Sequence, residues 1–135
     1  MHHLKSLHLF TVNDIKSILV PETAFGIFSA LSGPLLTTNQ SPSLTTILSR
    51  IPHVTLWTYL NLLIFDIANQ RLPSSLFEDS INKPWRPLPA RRLSLAQARR
   101  SLLFLIPLVV GVCAFLGGLE VTVAMLVLTW MYNDL

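Results

Sequence analysis

Seven of the ten basic side chains of this chain (Arg71, Lys83, Arg86, Arg91, Arg92, Arg99 and Arg100) fall between positions 71 and 100, and the sequence on both sides of that stretch is apolar. This polar island limits the fold more than any other feature. The apolar runs must be buried or face lipid, while the island must stay at a water boundary. Of 135 residues, 51% are hydrophobic and only 13% charged, against about 25% charged in soluble domains. A soluble helical domain needs charged outer faces on its helices, and too few charges are present to build them. The sequence therefore predicts an all-α membrane protein in a single domain over 1–135. A basic segment can signal nucleic-acid binding. Flanked by apolar runs, this one reads instead as a cytoplasmic loop under the positive-inside rule, with the lipid bilayer and no nucleic acid as its partner.

Four membrane spans are predicted, near 17–36, 54–70, 102–118 and 119–135, each of about 17 to 20 residues and at the lower end of what crosses a hydrocarbon core. Before the first, Asn13 or Asp14 is a candidate helix cap. Pro21 near its start and Gly33-Pro34 near its end fit helix punctuation, and Glu22 reads as an interfacial carboxylate. Residues 37–53 read as an outer loop whose only ionic side chain is Arg50. Trp57 and Tyr59 then lie near the outer end of the second span, where amphipathic rings settle. Residues 71–101 form the cytoplasmic motif loop, with Ser94 as the cap of a helix begun near its end. Gly117-Gly118 makes a short turn into the last span. The expected topology is multi-pass, with N-terminus, motif loop and C-terminus cytoplasmic. Cys113 reads as a buried small apolar residue, and His2-His3 as a solvated terminal pair.

In this arrangement Asp66, Asn69, Glu78, Asp79, Asn133 and Asp134 all face one side. Asp66 and Asn69, three apart, share a helical face. An ionisable group inside a span is a functional candidate by default. Carboxylates beside guanidiniums at a membrane face suit a divalent cation held together with an anionic group.

The order Asn69-Gln70, then acids, then Asn82-Lys83-Pro84-Trp85-Arg86-Pro87-Leu88-Pro89 resembles the UbiA superfamily of intramembrane prenyltransferases, particularly its fungal branch with membrane-bound terpene cyclases. Arg92-Leu93-Ser94 before a new helix is similar to the same family. The family's usual acids four and eight residues after the Asn are replaced here by Pro73 and Phe77, with Glu78-Asp79 following immediately. The resemblance implies the first half of a larger helical bundle, with a second acidic motif expected on later helices. It also implies a prenyl diphosphate substrate and Mg²⁺. On that reading Glu78 and Asp79 are the metal ligands, Asp66 and Asn69 the catalytic pair, and Arg71, Lys83 and Arg86 the diphosphate ligands. Trp57, Tyr59 and Phe65 are candidates to line a dry cavity for a carbocation.

The expected function is prenyl transfer or terpene cyclisation in secondary metabolism. Two other readings stand beside it. One is a truncated, catalytically inactive remnant, or a half that needs a dimer or a missing C-terminal half. The other is a small membrane scaffold whose basic loop binds anionic lipid headgroups. Adjacent Glu78-Asp79 is more often a solvated pair, and Arg91-Arg92 and Arg99-Arg100 are more often topology determinants than ligands.

Overall fold

A computed structural model describes residues 2–135, with side chains from residue 5 onward; the side chains of His2 and His3 lie outside that range. Its helices are α1 (His2–Thr11), α2 (Val20–Leu31), α3 (Leu44–Gln70), α4 (Pro73–Asn82), α5 (Leu95–Leu116) and α6 (Leu119–Asp134). A π turn over Ile15–Leu19 runs straight into α2, and one 3₁₀ turn over Gly33–Leu35 follows it. The all-α expectation holds for the described residues.

The four expected spans are reduced to two. Among the described residues, only α3 and α5 are helices long and apolar enough to cross a membrane. Helix α2 has 12 residues and α6 has 16, which rise about 18 and 24 Å against a hydrocarbon core of about 30 Å. Helix α5 leaves Leu103, Phe104 and Phe115 exposed. Such a row of large apolar side chains marks an interaction or lipid-facing surface, not the buried core helix of a water-soluble domain.

Helix boundaries also shift. Helix α3 begins at Leu44, so most of the expected outer loop is its first turns, and it continues through Pro52. Proline removes one N–H and crowds the carbonyl four residues back, and the remaining bonds of a 27-residue helix carry it past that defect. The expected loop 71–101 contains α4, which starts on Pro73, where a fixed φ suits the first helical position and no hydrogen bond is lost. Ser94 does cap α5. Its hydroxyl accepts from the Gln97 N–H at 3.2 Å, and the Gln97 side chain accepts from the Ser94 N–H at 2.8 Å, a reciprocal capping box. Because α5 starts there, Arg99 and Arg100 lie on its first turns and not in a loop.

The core forms around the second half of α3. Leu63, Ile64, Ile67 and Ala68 pack with Phe10 of α1, Leu88 of the basic loop, and Ala98, Leu102, Leu105, Val109 and Cys113 of α5. Cys113 is fully buried, as expected. Helix α6 closes against α3 at both ends. At one end the Trp57 indole N–H donates to the Thr122 hydroxyl at 2.8 Å. At the other the Phe65 and Tyr132 rings lie 5.5 Å apart. The join between α5 and α6 is Gly117-Gly118. Gly117 takes φ +86°, a left-handed cap that strains any other residue, and a Cβ on Gly118 would sit 3.3 Å from the Trp57 ring.

Candidate functional site

The Lys83–Leu93 segment is a chain of tight turns. Ala90 N–H donates to the Arg86 carbonyl, Arg91 N–H to Leu88, and Arg92 and Leu93 N–H to Pro87. Pro87 is fully buried and Leu88 packs in the core, which anchors the segment. Closing it puts Arg91 at φ +53°, a conformation a non-glycine residue adopts at a cost of about 1–2 kcal/mol. The consequence is that Arg86 is turned inward and buried at 6% exposure.

Arg86 Nη1 donates to both oxygens of Asp79, at 2.9 and 2.8 Å. Its Nη2 lies 3.4 Å from Asp14 Oδ2. The Arg86 Nε is buried with no acceptor. Asp79 is buried on the inner face of α4, whereas Glu78 beside it is exposed. Neighbours on a helix diverge by about 100°, so these two acids do not converge on one point.

Asp66 and Asn69 go to different neighbours. Asp66 is buried at 4% exposure, and its Oδ2 has no hydrogen-bond donor. Its carboxyl interacts with those of Asp14 and with the charges of Arg86 and Lys83. Asn69 turns to α6, donating to Asn133 Oδ1 at 3.2 Å, and Asn133 in turn donates to the Thr129 carbonyl at 2.8 Å. Arg71 pairs with Asp134 of α6. Gln70 donates to the Phe10 carbonyl at 2.8 Å, fully buried. Asn133 and Asp134 are thus docked on the end of α3 rather than frayed.

Of the expected site residues, the structure gathers Asp66, Asp79, Lys83 and Arg86 at one end of the bundle, places Asn69 and Arg71 beside them against α6, and leaves Glu78 outside. Asp14 joins the group unexpectedly. It makes no side-chain cap. Its position in the site arises from packing across 72 residues of sequence, for which no local signal exists.

A separate cavity of about 180 Å³ is lined by Ile18, Glu22, Trp57, Asn61, Phe65 and Met125, among others; none of the clustered charged residues lines it. Trp57 and Phe65 are among its lining residues and Tyr59 is not; Trp57 and Tyr59 both pack against the core. Glu22 faces this cavity. Asn61 donates to the Trp57 carbonyl at 2.9 Å, and its Oδ1 is buried without a donor.

Among the described residues no group of three or more His, Cys, Asp or Glu side chains is arranged to hold a metal ion. The Glu78–Asp79 pair does not converge on one point: Asp79 is buried and accepts from Arg86 with both oxygens, and Glu78 is exposed.

The chain is 36% identical over 95 residues to the fumagillin beta-trans-bergamotene synthase of Aspergillus fumigatus, a match covering 70% of this chain and 28% of that protein. It is 27% identical over 114 residues to a polyprenyl transferase of Hericium erinaceus, covering 84% of this chain and 36% of that protein. The chain thus spans about a third of the length of these curated relatives. Their names point to a prenyl-related family. No protein-family model and no solved structure matches the chain.

Proposed function

We propose that this chain carries the diphosphate-binding end of a UbiA-like intramembrane enzyme that acts on a prenyl diphosphate with Mg²⁺, by prenyl transfer or by terpene cyclisation. The observation that carries the reading is Arg86. The Arg-Pro-Leu-Pro turn buries this guanidinium against Asp79, with Asp14 on its other nitrogen. The two relatives with prenyl-related names support the same chemistry.

In this reading the roles follow from the geometry. Arg86, held by Asp79, is the cation that stabilises charge developing on the leaving group once its buried Nε, which has no acceptor, is uncovered. Lys83, half-buried on the same turn, adds a second positive charge. Trp57 and Phe65 give the hydrocarbon a dry, π-faced wall. Asn69 meets Asn133 of α6 beside the site. Mg²⁺, when bound, neutralises the diphosphate and assists its departure. Asp79 positions Arg86, which is a different task from the metal ligation expected of it.

The test is pyrophosphate release by the full chain in detergent or nanodiscs, with prenyl diphosphates of several lengths and Mg²⁺, with and without an aromatic acceptor. Arg86→Ala and Asp79→Ala are expected to abolish turnover, and Glu78→Ala to spare it. Unchanged turnover in the first two variants defeats the proposed site. Product analysis separates transfer from cyclisation.

A further inference from the structure

We propose that the end of α3 away from Arg86 binds an anionic phospholipid, with Arg50 and His53 on its phosphate and its two acyl chains in the apolar clefts that flank Arg50. This site is separate from the prenyl diphosphate reading and does not depend on it.

Arg50 is the only Lys, Arg, Asp or Glu between Glu22 and Asp66. It is exposed and, among the described residues, makes no ion pair. Glu120, in the first turn of α6, is exposed and does not pair with it. At 1.5 Å per residue Arg50 stands about 24 Å along α3 from Asp66, against a hydrocarbon core of about 30 Å. With α3 crossing a bilayer and the Arg86 cluster at one face, the long stem of Arg50 carries its charge to headgroup level at the other.

Two clefts open beside it. One, of about 280 Å³, lies between α3 and the α5–α6 turn, with His53, Val54 and Trp57 on one wall and Leu116 and Val121 on the other. The second, of about 170 Å³, lies between α2 and α3 and is walled by Ile27, Ala30, Ile47 and Ile51. Arg50 and Val54 line both, and no acid lines either. A free phosphate would use the guanidinium and leave the apolar walls wet. A neutral lipid would fill the walls and leave the guanidinium unpaired. A phospholipid with a net negative headgroup satisfies both at once. Its phosphate suits the paired donors of an arginine, and the His53 ring offers another donor. A zwitterionic headgroup brings its own cation and gains less.

The experiment is native mass spectrometry of the full chain released from nanodiscs that mix phosphatidylcholine with phosphatidylglycerol, counting the lipids retained. The wild type is expected to keep phosphatidylglycerol about fivefold over phosphatidylcholine, the scale of one basic side chain at an anionic surface. Arg50→Gln should remove that preference and Arg50→Lys should keep most of it. Val54→Trp, which narrows both clefts and leaves the charge, should lower retention of both lipids. A double Arg99→Gln, Arg100→Gln variant, altered in the first turns of α5 at the other end of the bundle, should retain the preference. Phosphatidylglycerol should also raise the thermal midpoint of the wild type in detergent and not that of Arg50→Gln. That readout compares each variant with itself, so a variant that is partly destabilised still gives an answer. Glycerol phosphate alone and diacylglycerol alone should leave the midpoint unchanged. Equal retention of the two phospholipids by the wild type overturns the inference. So does a preference that survives Arg50→Gln but is lost in the α5 double variant, because the basic segment is then the lipid surface. A midpoint raised as much by glycerol phosphate as by the lipid overturns it too, since the clefts would then play no part.

Discussion

Two arginine–aspartate pairs sit at the same end of this molecule and do different work. Arg86–Asp79 is sealed, with side-chain exposures of 7% and 6%. Arg71–Asp134 stands at the rim, at 18% and 31%. The chemistry of the two pairs is identical, so their difference lies in where the backbone delivers them. Arg86 rides on a segment anchored by Pro87 and Leu88 in the core, whereas Arg71 follows the last turn of α3 and meets the last turn of α6. A sealed ion pair fixes a geometry because breaking it leaves an uncompensated charge out of water. A rim pair is shared with solvent and holds little. Only the first is suited to keep a guanidinium in one place for a substrate.

That contrast can be broken by experiment. Asp79→Ala should produce the largest effect, about 3–5 kcal/mol of lost stability, since it strands the Arg86 charge; denaturant unfolding in mixed micelles measures it, and a loss below about 1 kcal/mol would mean that Asp14 or water takes over. Replacing both members, as Asp79→Leu with Arg86→Met, should recover most of that loss while abolishing pyrophosphate release, because an apolar pair of similar volume fits such a site. Ser94→Ala, which opens the capping box below the turn, should cost about 1 kcal/mol and fray α5 in hydrogen exchange. Arg71→Ala should cost less than about 1 kcal/mol, and the change should shrink further in high salt. A larger effect from Arg71 than from Asp79 would reverse the ranking and the argument built on it.

Several parts of this arrangement were legible from residue order alone. Ser94 announces its helix by its position three residues before Gln97, and Gly117-Gly118 marks the α5–α6 turn. The island of acids and guanidiniums marks the end where Arg86, Asp79 and Asp14 gather. What could not be read was long-range. Asp14 looks like a cap from its neighbours, and only packing carries it to Arg86. Asp66 and Asn69 share a face by spacing, yet they part company because α6 claims one and the N-terminal segment meets the other. Glu78 and Asp79 look equivalent in sequence, and the roll of α4 separates them. The spans were overcounted because hydropathy registers apolar runs without seeing where a helix stops. Helix α6 is apolar but short, and the first run is divided between a π turn and α2.

The end of α3 has one more consequence. Gln70 is tied to a carbonyl of α1 and Asn69 to α6, while Asp66, one turn back, confronts Asp14. Asn69 and Gln70 point about 100° apart and Asp66 falls between them, so these claims spread across one side of the rod. Together they fix its azimuth: α3 can slide or roll only if several neighbours move with it, and the spot that Asp66 occupies is indexed against the rest of the bundle.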